Sequence, residues 1–224
     1  SDVGLPEVVG KKKAIVTPPE ESAEHNAFVK KHVYGNRIIW TLAITNFFVY
    51  VVRFAALDWG PTLLTESKDI SMASATTLCV LFELLGGNLG MLFWGWSTDH
   101  WFNSKAHHTS LYCMIGVAVS ILCFYVMPKG SSLWMLVIPF TLLGFFIYGP
   151  QALLGVCAAQ HATNKASATA NGILGIFGYA STIVSGFGFG FIADHYGWNI
   201  VYVTIMVMAC LAILSLLTMW GAKA

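Results

Sequence analysis

Arg53 lies in the run NFFVYVVRFAALDWGP, Asn46 to Pro61, among Phe, Val, Tyr and Ala. On a helix Asn46, Tyr50 and Arg53 recur at i, i+4 and i+7, so an amide, a phenol and a guanidinium share one stripe. A guanidinium is a planar fork of donors matched to phosphate oxygens, and it keeps its charge at any physiological pH. The chemistry offered is non-covalent recognition of an oxyanion. Two other placements stay open: Arg53 can snorkel to a membrane interface, since Asp58 is close by in the chain, or pair with Asp58 or Glu83.

Other polar residues stand inside apolar runs. Tyr148 and Gln151 flank Gly149-Pro150, where an interrupted backbone ladder is tolerated only against protein or water. Tyr179 lies among Gly172, Gly175 and Gly178; its phenol can donate to a phosphate or pack on the glycine face. Glu83 reads as a buried charge a turn before Gly86, Gly87 and Gly90, either a protonated or paired structural residue or a counter-charge that holds and releases Arg53. Gly86-x-x-x-Gly90 and Gly186-Phe-Gly-Phe-Gly190 read as helix-packing surfaces, because no strand precedes them as in a phosphate loop.

Metal and covalent chemistry find little support. Cys79, Cys113, Cys123, Cys157 and Cys210 follow no metal-ligand spacing and read as small apolar packing residues without disulfides. His107 and His108 have no cysteine or carboxylate beside them in sequence, so a solvated loop is expected there and no metal site. No nucleophile with a base and no paired carboxylates share a helical stripe, so neither an enzyme nor a cofactor is expected.

The elements that hold these residues follow from composition. The chain is 56% apolar and only 10% charged over 224 residues, against roughly 25% charged in a soluble domain. A bilayer span needs about 20 mostly apolar residues. Six such runs are predicted, at about Ile38–Leu57, Met72–Ser97, Thr109–Met127, Ser132–Ala159, Ala168–Ala193 and Ile200–Trp220, separated by Gly, Pro, Asn, Lys and His clusters. The fold class is therefore all-α and polytopic, with six transmembrane helices.

Sidedness follows from the cations. An even number of spans places Lys11, Lys12, Lys13, Lys30, Lys31, Arg37, Lys105, Lys165 and Lys223 on one face and only Lys68 and Lys129 on the other, which predicts cytoplasmic termini. Residues 1–35 carry charges of both signs and three prolines, lack the apolar core of a signal peptide, and read as a cytosolic linker ending in a short surface helix. Residues 36–224 form the transmembrane domain. Three lysines in a polar tail do not imply nucleic acid.

A repeat organises the spans. Gly95-Trp-Ser-Thr-Asp99-His100 ends the second and Gly190-Phe-Ile-Ala-Asp194-His195 ends the fifth, which gives two three-helix units. The element from Gly95 to Asp99 resembles the cytoplasmic loop signature of the major facilitator superfamily, with His100 and a single Lys105 in place of its usual denser basic residues. Within that superfamily N-x-F-V-Y-x-x-R-x-x-x-L-D-W-x-P at Asn46 to Pro61, L-F-E at Leu81 to Glu83, Y-G-P-Q at Tyr148 to Gln151 and N-G-I-L-G-I-F-G-Y at Asn171 to Tyr179 resemble the organophosphate:phosphate antiporters, which include bacterial glycerol-3-phosphate and hexose-phosphate transporters.

The resemblance implies twelve helices in two halves, with Gly4-Leu5-Pro6 opening the loop that joins them. This chain would then be that loop and the second half, consistent with a start other than Met. It implies a site between the halves with one arginine from each, so the missing N-terminal half is the expected partner and Arg53 this half's contribution. Asn46, Tyr50, Tyr148, Gln151 and Tyr179 are expected around it, Asp58 and Glu83 as counter-charges. The implied function is exchange of a sugar phosphate, glycerol phosphate or similar ester for inorganic phosphate across the inner membrane. A membrane sensor for a sugar phosphate is the alternative. Hexose-phosphate carriers hold an acidic residue and a lysine near the positions of Asn171 and Leu174, so the neutral pair here points to a different phosphorylated ligand.

Overall fold

A computed structural model describes residues 19–163 and 165–221. Most of the expected linker (residues 1–18, with Gly4-Leu5-Pro6 and Lys11 to Lys13), Asn164 and the end of the chain with Lys223 lie outside the described residues. Every regular element among the described residues is helical. Helix α1 (Pro19–Val29) runs into a π-helical turn, Lys30–Tyr34, so the short helix expected at the end of the N-terminal segment is present.

Six helical spans follow, within a few residues of the predicted runs. They are α2 (Arg37–Asp58), α4 (Met72–Leu81) continued by α5 (Asn88–Trp101), α6 (Ala106–Val126), α7 (Leu133–Ala162), α8 (Ser167–Ile183) continued by α9 (Phe189–Tyr196), and α10 (Trp198–Leu217). The Asn36 side chain starts α2 by accepting from the Ile38 amide at 3.0 Å. The second and fifth spans are each interrupted by a π-helical turn, Phe82–Gly87 and Val184–Gly188. Such turns place one extra residue in the ladder and bend the helix.

The packing repeats the sequence duplication. The first span packs on the fifth (α2 on α8) and the fourth on the second (α7 on α5 and its π turn). The third packs on the fourth (α6 on α7) and the sixth on the first (α10 on α2), while α6 and α10 meet each other. Each relation maps onto its counterpart when the first three spans are exchanged for the last three. The motif ends match as well: His100 Nδ1 meets the Trp96 carbonyl and His195 Nδ1 the Phe191 carbonyl, both at 3.0 Å. Their rings stack on Trp96 and Phe191 at 4.6 and 4.2 Å. Asp99 accepts from the Ser104 hydroxyl at 3.1 Å and so closes the turn before α6.

Glycines set the closest crossing. A Cβ on Gly86 would strike Thr141, one on Gly90 the Phe145 carbonyl, and one on Gly144 the Phe82 carbonyl, so the two backbones touch. The packing role expected of Gly86 and Gly90 is therefore present. In the second glycine run only Gly190 is closely met, by the Trp59 ring, while a Cβ on Gly186 would find open space.

Three local expectations are corrected. The segment after Asp58 is no simple loop but a further helix, α3 (Gly60–Lys68), with Pro61 in its first turn, where its missing N–H costs nothing. Helix α7 runs through Pro139 and Pro150 without breaking, so Gly149-Pro150 frees one carbonyl rather than interrupting the span. Lys68, expected in an open loop, is buried: its amine donates to the carbonyls of Met127 and Tyr125 and sits over Phe124 at 5.1 Å. Burial pushes its pKa down.

Candidate functional site

Arg53 leaves α2 in its second half, where α2 faces α7. Its Nη2 donates to the Tyr148 hydroxyl at 3.4 Å, and that hydroxyl donates to Glu83 Oε1, also at 3.4 Å. The first, second and fourth spans thus meet in one chain of polar contacts. Three rings surround the guanidinium, with centroids at 5.0 Å (Tyr148), 5.3 Å (Phe54) and 5.8 Å (Tyr50) from its carbon. Aromatic faces attract the cation without neutralising it.

The site holds donors and acceptors without partners. Arg53 Nε is buried and unpartnered among the described residues, and so is Gln151 Oε1 on α7. A buried donor left unmade costs about 1–3 kcal/mol, more on a charged group. Tyr148 itself is fixed by packing: its ring lies 6.0 Å from Phe82, and a Cβ on Gly87 would come within 3.1 Å of it.

Placement of the other expected residues is mixed. Tyr50 lies beside Arg53 as the helical stripe requires. Asn46 does not face open space: it is buried, and its amide donates to the Leu174 carbonyl at 2.8 Å. The reason is the close approach of α8, where Gly178 presents no side chain and a Cβ would lie 3.0 Å from Asn46 Nδ2. The stripe therefore splits, with Asn46 tying α2 to α8 and Arg53 reaching α7. Tyr179 is 73% exposed, and the contacts recorded for Arg53 do not include it. Asn171 is exposed, whereas the Leu174 side chain is buried, so only the first of those two positions is open to a ligand.

Both carboxylates differ from expectation. Glu83 is not buried but exposed, on the π turn Phe82–Gly87. It touches Arg53 only through Tyr148. Asp58 is exposed at the end of α2, and among the described residues no ion pair is recorded between it and Arg53. Gly95 and Asp99 lie in α5, past the π turn that carries Glu83. The sequence does not single out Phe54. Phe54 follows Arg53 directly, and only the side-chain geometry turns its ring toward the guanidinium.

The histidine pair is also placed differently. His107 and His108 belong to the first turn of α6, and His107 is buried rather than solvated. Cys113 and Cys157 are buried as expected of packing residues, while Cys123 and Cys210 are exposed on the spans.

The comparison with known sequences decides the family. Residues 42–223 match the sequence profile of the Major Facilitator Superfamily. The chain belongs to this superfamily. Among similar superfamily members, a probable hexose phosphate transport protein of Chlamydia trachomatis is 34% identical over 208 residues, which covers 91% of this chain and 45% of that protein. The glycerol-3-phosphate transporter of Bacillus subtilis is 34% identical over 196 residues, 85% of this chain and 43% of its own length. The membrane sensor protein UhpC of Escherichia coli is 33% identical over 193 residues, 86% and 44%. The chain spans about half the length of these relatives. Six helices in two repeated triplets agree with half of a superfamily fold.

Proposed function

We propose that this chain forms the C-terminal half of a secondary transporter that exchanges a phosphorylated metabolite for inorganic phosphate by alternating access. The observation that carries the reading is Arg53: a cation in a membrane span, set among aromatic rings, with a buried Nε lacking a partner and no carboxylate in direct contact among the described residues. A charge in a bilayer span costs up to about 2.5–3.5 kcal/mol, the insertion-scale value at the span centre. A dianionic phosphate bound between Arg53 and an arginine of the other half would offset that cost and favour closure of the two halves around it. Tyr50, Tyr148 and Gln151 supply neighbouring donors and an acceptor, and Glu83 takes the place of the anion through Tyr148 when the site empties. Asn46 acts as a strut, and Tyr179 and Asn171 lie on the open face that the other half would cover.

The relatives named as hexose phosphate and glycerol-3-phosphate transporters support this ligand class. The lysine distribution supports an inner-membrane orientation with both ends of the spanning region cytoplasmic, and residues 1–35 would join the two halves. A sensor of a sugar phosphate is the second reading, favoured by the similarity to UhpC. Exchange of labelled phosphate by the full-length protein in liposomes separates them: counter-transport supports the carrier, and binding without exchange supports the sensor. One half supplies one wall of the pathway, so the isolated chain should exchange nothing.

A further inference from the structure

At the end of the bundle remote from Lys68, three potential metal ligands converge. His107 comes from the first turn of α6; Cys157 and His161 are one turn apart, at i and i+4, near the end of α7. Their ligating atoms all lie within 4.8 Å of one another. His107 and Cys157 are buried, at 3% and 0% exposure, and His161 is half-buried. Nε2 of His107 and Nε2 of His161 are both buried and have no hydrogen-bond partner among the described residues. Two orphaned imidazole nitrogens, on residues that each bring a ligand atom close to a buried thiol, are a costly arrangement if nothing joins them.

We propose that His107, Cys157 and His161 form a three-coordinate site for a soft monovalent d10 cation, Cu+ in the cell. Ligand type selects softness: a thiolate with two imidazoles suits copper and zinc, and the absence of carboxylate from the cluster disfavours calcium, magnesium and manganese. Charge selects between the first two. Cu+ displaces the thiol proton, and with one thiolate and two neutral imidazoles the site is uncharged, as a buried location requires. Zn2+ would leave a net positive charge and needs a fourth ligand in its usual tetrahedral structural sites. His108 does not supply one, because its Nε2 is turned to the Trp220 carbonyl at 3.2 Å. Ligand atoms held at about 2.0–2.3 Å from a metal stand roughly 3.5–4 Å apart, so the cluster closes on the ion through side-chain torsions of about 1 Å in reach.

The site would clip the start of α6 to the end of α7. It also bears on α2, because the Asn36 side chain that caps α2 donates to the His161 carbonyl at 3.3 Å. Binding is linked to stability, since a cation held by the folded state alone raises the melting temperature.

The test uses the full-length protein purified in detergent and loaded with Cu+ under reducing, anaerobic conditions, with bicinchoninate as competitor and Ag+ as a redox-inert substitute. The expected result is one tightly held Cu+ that depends on the cluster, with thiolate-to-copper absorption in the near ultraviolet and a raised melting temperature. Cys157→Ser should abolish the absorption band, and His161→Ala should weaken retention at least tenfold. Cys210→Ser, which alters an exposed cysteine elsewhere, should leave both unchanged. Circular dichroism confirms that each variant is folded. Should Cys157→Ser fail to fold, His161→Ala and His107→Gln carry the test. Copper retention equal in folded cluster variants and the parent protein overturns the site, as does no retention by the parent. Preferential tetrahedral binding of Zn2+, read by the thiolate band of Co2+, overturns the choice of ion.

Discussion

Arg53 reaches Tyr148 across 3.4 Å, and the two side chains come from the first spans of the two repeated triplets. The phenol is thus the element through which one triplet senses the charge held by the other, and its second contact, Glu83, extends the relation to a third helix.

Replacement of Arg53 by lysine keeps the charge and removes the planar fork. A phosphate contact predicts weaker organophosphate binding by about 1–3 kcal/mol in the full-length protein, with the melting temperature unchanged. Calorimetric titration beside a thermal-unfolding scan checks both. Undiminished affinity would remove Arg53 from the site, since a lysine serves equally well only for a head group that reaches the interface.

Tyr148→Phe retains the ring that packs on Phe82 and fills the space left by Gly87, but deletes the hydroxyl between Arg53 and Glu83. Binding should weaken by about 0.5–1.5 kcal/mol, the net contribution of one hydrogen bond, and folding should be nearly untouched. Gly87→Val instead pushes on the ring itself and should lower both affinity and stability. A neutral Gly87→Val in both assays would contradict the tight packing at this position.

Glycines along α5 should separate into two kinds. Gly90→Ala forces a methyl into the Phe145 carbonyl and should destabilise by about 1–3 kcal/mol, the usual cost of overpacking. Gly95→Ala meets nothing within 4 Å and should be neutral or slightly stabilising, because alanine is the better helix former. Thermal unfolding of the two variants in the same detergent gives the comparison, and equal losses would refute the crossing.

Lys68→Ala leaves the Met127 and Tyr125 carbonyls without their charged donor at the end of α6. Stability should fall by about 1–3 kcal/mol with substrate affinity unaltered. A cysteine at Lys129, which is exposed, should react with an impermeant reagent from outside the cell, and one at exposed Lys165 should not. Reversed labelling would invert the membrane orientation.

Span positions could be read from the sequence because each is a long apolar run bounded by breakers, and bilayer thickness fixes its length. The interior of those runs was harder to read. Asn46 and Arg53 share a helical stripe by spacing, yet Gly178 of α8 comes close to one end of it and α7 to the other, which no periodicity in α2 records. Glu83 was expected inside, yet it is exposed on a π turn that has no strong residue signature. Cys157 and His161 show their i, i+4 spacing in the sequence, but His107 joins them from fifty residues earlier only when α6 and α7 pack.

The crossing built on Gly86, Gly90 and Gly144 also constrains motion. Backbones in direct contact leave no lubricating layer of side chains between the triplets, so sliding there would require carbonyls to pass through one another. The six helices should accordingly swing as a single lever, with the bending confined to the π turns at Phe82–Gly87 and Val184–Gly188, whose spare residue can shift along the helix by exchanging one hydrogen bond for the next.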